Sequence, residues 1–536
     1  MKKKVLSLVL SAVMVASVFT ACGGDATTTT EDTTAVETTT EDTTATDDAA
    51  VEEETATADI DISEPVTLKW YLHGSNVTDD SEVLAKANEY LGEKLNVTLE
   101  PIWGTWGDFD SNAVLALQAG DPIDIYFTCS WSANEYVKYA KDGYWVRLDD
   151  PENNLLEKYA PDLFNSIPEV LVNGAMVEGA SGFGAYAVPG YKDIATQYCW
   201  DINVTMLEEL GFTLADLEGK TFYDFGPILQ AAKEAKGDSF YPLLVEGIVL
   251  ERIVNNSLVI DTGCLLSYYI DPANPANDIG SKIVNKYATE EYKKFTEKVR
   301  EYYQAGYIDP AMANGQQAND VRTSKQLAAD YLIGTQSYAY GCEIQYEEAR
   351  GIDIEMIPSA PAYVDTTSSR GAMMAISTAS ANPERAMMFL NLLNTDPYLM
   401  TLLNYGVEGV HYNVMEDGCI EFTEKRADYT PWTNGMGNVM LLPNSVAEGP
   451  TYRADFEAYY GNSVEVPILG YTFDQSAVET EIAAVTNVAN EYALALSTGA
   501  APEGALDEFL AELETAGMQK IVDEANAQLD AFLAAK

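Results

Sequence analysis

From Val66 onward the chain alternates short apolar runs with stretches of helical periodicity. Val66-Thr-Leu-Lys-Trp-Tyr-Leu72 predicts a strand that ends at the loop His73-Gly74-Ser75. Ser81 to Leu95 then carries Val83, Leu84, Ala87, Leu91 and Leu95, the spacing of one helix face. Asn96 to Trp103 predicts a second strand, Phe109 to Ala119 a second helix, and Ile123-Asp-Ile-Tyr-Phe-Thr128 a third, buried strand. Strands alternating with helices argue for parallel α/β packing, in which ligands gather beyond the carboxyl ends of the strands. Those three ends carry His73, then Trp103 and Trp106, then Ser130 and Trp131.

The first sixty residues follow a different pattern. Lys2, Lys3 and Lys4 precede an apolar run from Val5 to Ala21, the layout of a secretory signal. The run is marginal for a membrane span, which wants about 20 apolar residues. Phe19-Thr20-Ala21-Cys22 resembles a bacterial lipobox, with Phe19 in place of the usual leucine, and implies a lipid on Cys22. Beyond it, Thr28-Thr-Thr-Glu-Asp-Thr-Thr-Ala35 recurs as Thr38-Thr-Thr-Glu-Asp-Thr-Thr-Ala45. This acidic, aromatic-free composition cannot bury enough apolar surface to fold, which predicts a disordered tether.

Composition narrows the function. The net charge of −53 from 31 basic and 84 acidic residues excludes a nucleic-acid-binding role, which needs clustered Lys and Arg. Two histidines, His73 and His411, rule out HExxH metalloprotease chemistry and poorly supply a Ser-His-Asp triad. Cys129, Cys199, Cys264, Cys342 and Cys419 are widely spaced and odd in number, so free thiols are expected and no zinc site. Gly179-Ala-Ser-Gly-Phe-Gly184 lacks the context of a dinucleotide fingerprint. Asp271-Pro-Ala-Asn-Pro-Ala-Asn-Asp278 lacks the spacing of a calcium loop and reads as a turn. No cofactor or metal is expected.

Several segments resemble the bacterial extracellular solute-binding protein family, family 1. They are Pro122-Ile-Asp-Ile-Tyr-Phe127, Ala185-Tyr-Ala-Val-Pro189, Asn382-Pro-Glu-Arg-Ala-Met-Met-Phe-Leu-Asn-Leu-Leu393, and Asn404 to Tyr412. Gly470-Tyr-Thr-Phe-Asp474 and Val485 to Tyr492 are similar to the C-terminal region of a Gram-positive lipoprotein subgroup. The resemblance implies a two-lobed, type II periplasmic-binding-protein-like α/β fold. Each lobe would be a mixed sheet flanked by helices, joined to the other by a hinge. It divides the chain into a signal peptide (1–21), a lipidated Cys22 with its tether (22–63), lobe 1 (64–193 and 336–377) and lobe 2 (194–335 and 378–536).

Sugars need flat apolar faces and planar polar groups, and the 7 Trp and 33 Tyr supply the first. Trp106, Trp131 and Trp432 lie in turn-rich segments and are candidate ligand contacts, whereas Trp70, Trp103 and Trp145 read as core. His73 ends the first strand. Gln197 follows the first crossover, where family members place a contact. Arg370 has a guanidinium suited to hydroxyls or a carboxylate, and also reads as an ion-pair partner. Asn434 and Glu408 are candidates by neighbourhood. The expected protein is a non-enzymatic, lipid-anchored, monomeric receptor on the extracytoplasmic face of the membrane. It would capture an oligosaccharide for an ABC permease. A peptide or amino-acid receptor on the same fold stays open, as does a surface glycoside hydrolase with two carboxylates about 5–9.5 Å apart.

Overall fold

The computed structural model describes residues 61–74, 76–260 and 265–535. The signal peptide, Cys22 and most of the tether lie outside these residues, as does Cys264. Among the described residues no helix is long and apolar enough to cross a membrane.

The chain begins with β1 (Val66–Leu72), α1 (Ser81–Leu95), β2 (Val97–Trp103), α2 (Phe109–Ala119) and β3 (Ile125–Thr128). The helices form where the periodicity predicts. α1 buries Val83, Ala87 and Leu91, four residues apart, and stops at Asn96, whose left-handed φ of 52° directs its N–H back to the Gly92 and Leu91 carbonyls. α2 buries Phe109, Ala113 and Leu117 by the same rule. β1 pairs in parallel with β2 and β3, and all four residues of β3 are buried, as befits a central strand covered on both faces. A short β4 (Val188–Pro189) ends this first passage.

The chain then crosses to a second lobe. There it forms β5 (Tyr198–Asn203), β6 (Leu243–Leu244), α3 (Gly247–Asn255), α4 (Gly315–Leu327), β7 (Ile333–Ser337) and β8 (Ile354–Pro358). The sheet order is β8-β5-β7-β6, with β5 antiparallel to both its neighbours and β6 parallel to β7.

On its return the chain adds β9 (Met373–Ile376), α5 (Pro383–Thr395), α6 (Pro397–Tyr405) and α7 (Tyr452–Gly461) to the first lobe. The first sheet is thereby completed in the order β2-β1-β3-β9-β4, with β9 antiparallel to its neighbours. A last crossing delivers α8 (Glu479–Thr498), α9 (Ala505–Ala516) and α10 (Met518–Ala535) to the second lobe.

Two separate apolar cores define the lobes, and they correct the expected boundaries. Residues 386–460 contribute to the first core, with Phe389 edge-on to Trp70 at 5.3 Å, so this stretch does not belong to lobe 2. β7 and β8 hydrogen-bond to β5, so most of 336–377 does not belong to lobe 1. The division falls between adjacent residues at the second crossover: Tyr363 packs in the second core and Val364 in the first. Three crossing segments lie side by side there. Thr196 bridges Tyr363, and Tyr363-Val364 pairs with Val464-Glu465. A hinge made of neighbouring extended segments bends with little loss of packing.

Candidate ligand-binding site

The carboxyl ends of the first sheet bring four predicted residues together. His73 follows β1, Trp106 follows β2 and Trp131 follows β3, while Trp432 arrives on a segment whose Tyr429-Thr430 pairs with Asn76-Val77. The His73 ring lies 4.6 Å from Trp106, 5.3 Å from Trp131 and 5.9 Å from Trp432, centroid to centroid. The three indoles also touch one another, at 6.2, 5.0 and 5.8 Å, with Trp106 and Trp131 near parallel at 21°. Phe109 and Phe127 close the back of this box.

Backbone chemistry makes the box possible. Gly74 has φ 68° and lies against Trp106, where a Cβ would stand 2.7 Å from the indole. At Gly435 a Cβ would meet the Trp432 ring at 2.5 Å. Trp131 is held by donation from its Nε1 to the Gly371 carbonyl at 2.8 Å, beside the second crossover.

His73 is only 4% exposed, so it lies beneath the tryptophans and does not line the open cleft as expected. Its Nδ1 has no hydrogen-bond partner among the described residues, and its Nε2 is 4.0 Å from Asp110. Burial holds its pKa down to about 4 against the opposing pull of Asp108, so the imidazole is neutral at pH 7. The three indoles remain half-buried.

Four other candidates fall elsewhere. The Gln197 amide is occupied: its Nε2 donates to the Ala360 carbonyl at 2.7 Å and its Oε1 accepts from the Tyr459 hydroxyl. It ties the first crossover to the second and to α7, and is a hinge strut in place of the expected ligand contact. Arg370 is likewise spent, Nε donating to the Gly174 carbonyl at 2.8 Å and Nη1 to Thr472 at 3.2 Å, so it joins the first lobe to the C-terminal segment. Only 6% of it is exposed, which removes it from the expected ligand set. Glu408 and Asn434 are exposed, Glu408 in a turn beside the left-handed Gly406 and Gly409. In the Asp271–Asp278 turn the Asp271 carboxylate accepts from Ala273 N at 2.9 Å and from Asn277 Nδ2 at 2.7 Å.

The structure adds a polar cluster that the sequence reading missed. β6 runs into Glu246, whose N–H donates to Thr335 Oγ1 at 3.0 Å and whose carboxylate pairs with Arg322 of α4 at 2.6 Å. Arg252 of α3 donates to the Tyr198 hydroxyl and lies 5.3 Å from that ring. Burial pushes the carboxyls of Glu246 and Asp365 up, and the Arg252 charge acts on both in the other direction. Tyr198 opens β5 beside Ser337, the last residue of β7, so this edge of the second sheet faces the hinge. One sequence signal was present: Gly247-Ile-Val-Leu-Glu-Arg-Ile-Val-Asn255 sets two charges in an otherwise apolar helix.

Two lobes, a three-segment hinge and an aromatic box beside it have the architecture of a solute-binding protein. The comparisons agree. A carbohydrate ABC transporter substrate-binding protein of Streptococcus pneumoniae serotype 4 is 26% identical over 481 residues, covering 88% of this chain and 92% of the relative. The crystal structure of NgtS, the N-glycan transport solute binding protein of Streptococcus pneumoniae, superposes with a TM-score of 0.74 at 25% identity, covering 88% of this chain and 99% of that one. Its complex with Man5GlcNAc gives 0.67 at 26% identity over the same shares. Residues 467–534, which span α8 to α10, match a family described as a domain of unknown function, DUF3502. Over most of its length the chain is therefore similar to substrate-binding and solute-binding proteins of carbohydrate transport.

Proposed function

We propose that this protein captures an oligosaccharide in the cleft between its lobes and delivers it to an ABC importer. The observation that carries the reading is the half-buried box of Trp106, Trp131 and Trp432 at the strand ends beside the hinge. Indole faces match the C–H faces of sugar rings, and a neutral His73 beneath them adds no charge to repel or attract an ion. The relative NgtS, solved with Man1GlcNAc and Man5GlcNAc, supports a glycan over a peptide. Trp106, Trp131 and Trp432 stack on the sugar, while Asn434 and Glu408 are exposed and within the same lobe. Closure follows because ligand contacts from both lobes exist together only in the closed state, and ligand shifts the equilibrium by that difference in affinity. Cys22 carries a lipid that holds the protein at the extracytoplasmic face as a monomer.

Thermal unfolding of the full chain against oligosaccharides, monosaccharides and short peptides tests the reading. A ligand at 100 times its Kd adds about 2.7 kcal/mol to stability. A shift with an intact oligosaccharide is expected. A shift with peptides alone overturns the sugar assignment, and cleavage of the glycan overturns the receptor assignment. Radiolabelled palmitate incorporation, lost in Cys22→Ala, checks the anchor.

A further inference from the structure

A two-stranded hairpin of the first lobe, Tyr412–Val414 with Ile420–Phe422, carries an apolar face that its own lobe only half covers. Tyr412 stands opposite Phe422 and Val414 opposite Ile420, so strand alternation puts these four on one face and Asn413 with Glu421 on the other. Tyr412 and Ile420 are buried, yet Val414 and Phe422 are 51% and 39% exposed. Tyr398 near the start of α6, Met415 in the hairpin turn and Val446, whose N–H donates to the Ile420 carbonyl at 2.9 Å, are exposed beside them. Five of the ten large apolar side chains that stand exposed among the described residues therefore gather on this hairpin and its neighbours, where scattering would place them singly. Between the hairpin and α6 lies a groove of about 400 Å³, lined by Tyr398, Val414, Ile420, Leu441, Leu442 and Pro443 and by no charged side chain. Apolar surface left open in this way marks a place where another molecule packs.

The charge around the groove selects its occupant. Glu416 and Asp417 make the hairpin turn beside Gly418, and Glu408 is bridged to Tyr412. All three are exposed, and none has an ion-pair partner among the described residues. The cations closest along the chain are spent elsewhere: Lys425 on Asp428 at 3.0 Å, Arg453 on Glu448 at 3.8 Å, and Arg426 on the Tyr429 carbonyl. A second copy of this chain would set the same carboxylates against these. The acidic segment 25–60 of this chain and an anionic lipid surface are repelled for the same reason. We propose that the groove docks a partner protein through a segment whose apolar anchors are flanked by lysine or arginine. The anchors fill the groove, and the cations meet Glu408, Glu416 and Asp417 at its rim. The groove is built within one lobe, so this docking does not depend on the sugar-binding reading above.

The test uses the full chain and three synthetic peptides of equal length, one of leucine and lysine, one of leucine and glutamate, and one of serine and lysine. Binding is read by fluorescence anisotropy at low and high salt, and its place by hydrogen exchange. The leucine–lysine peptide is expected to bind and to protect the backbone of the hairpin, the start of α6 and residues 441–443. The double variant Tyr398→Ser with Val414→Ser should lower that affinity at least about tenfold with the melting temperature unchanged, because both side chains are exposed. Val446→Ser serves if the double variant is unstable. Glu408→Gln with Glu416→Gln should weaken binding several-fold and flatten its salt dependence. The proposal is overturned if the serine–lysine or the leucine–glutamate peptide binds as tightly as the leucine–lysine one, if protection falls elsewhere, or if no peptide binds. It is equally overturned if the wild type self-associates, or binds anionic phosphatidylglycerol vesicles, in a way that Tyr398→Ser with Val414→Ser abolishes. The first of these results would give the groove to a second copy and the other to a membrane.

Discussion

The tryptophan box of the first lobe and the ionic cluster of the second sit beside the same hinge and work by opposite physics. The box gathers three indoles around a neutral His73, and contacts of this kind are short-ranged, apolar and insensitive to salt. The cluster sets Glu246 against Arg322 at 2.6 Å, with directional contacts that are strong only when water is excluded. The first region leaves its aromatic side chains half-buried, whereas the second is buried and already paired. The first is therefore the surface a ligand would meet, and the second holds the hinge-facing edge of its own lobe together.

Breaking the cluster has the largest expected effect. Glu246→Ala leaves Arg322 buried without its carboxylate and is expected to lower stability by about 3–5 kcal/mol. The double change Glu246→Leu with Arg322→Met is expected to restore most of that in thermal unfolding. A double variant as unstable as the single would show the pair to be a structural element.

The box has its own signature, in pH. The unfolded chain protonates its histidine near 6.5, whereas buried His73 stays neutral down to about 4. Between those values the unfolded state binds the extra proton, so the contribution of His73 is whole above pH 6.5 and is lost as pH falls toward 4. The span corresponds to about 3 kcal/mol. Denaturant titrations at pH 7 and pH 4 should show this loss in the wild type and a smaller one in His73→Phe, with His411 present in both.

Removing one indole separates binding from stability. Trp131→Ala should weaken oligosaccharide binding by about 2–3 kcal/mol, the range of an aromatic hot spot, measured by calorimetry. Because Trp131 is half-buried, the melting temperature should move much less than in Glu246→Ala. The smallest effect belongs to the exposed pair between the lobes, Lys141 with Asp474 at 3.2 Å. Lys141→Met should change stability by no more than about 1 kcal/mol, and the change should vanish in high salt. A large effect there would mean that a surface clasp, and not the ligand, couples the lobes.

Legibility in the sequence differed between these regions for the same reason. His73, Trp106 and Trp131 each follow a strand of a parallel sheet within one short stretch of chain. The period of the strands and the rule that ligands gather at their carboxyl ends were enough to set them at one edge of the sheet. Trp432 was legible only as an aromatic in a turn. Glu246, Arg252, Arg322 and Asp365 come from separate segments of the second lobe and its crossover. No local pattern links them, and the two charges within Gly247–Asn255 were the only hint. Gln197 and Arg370 were placed near the hinge, but their side chains are consumed by Ala360, Tyr459, Gly174 and Thr472, partners that sequence proximity does not reveal.

What the sequence determined by itself was local. Apolar spacing set α1 and α2 at their observed bounds, the continuous apolar run set β3 at the centre of a sheet, and charge and composition excluded whole classes of function. What only the tertiary structure decided was which lobe each returning segment joins. α5 and α6 are apolar helices that either core would accept on composition. Phe389 packing edge-on to Trp70 places α5 in the first, and backbone pairing with β5 assigns β7 and β8 to the second. Hydrophobic burial is non-directional, so a pattern of apolar residues says that a face must be covered but not by which neighbour.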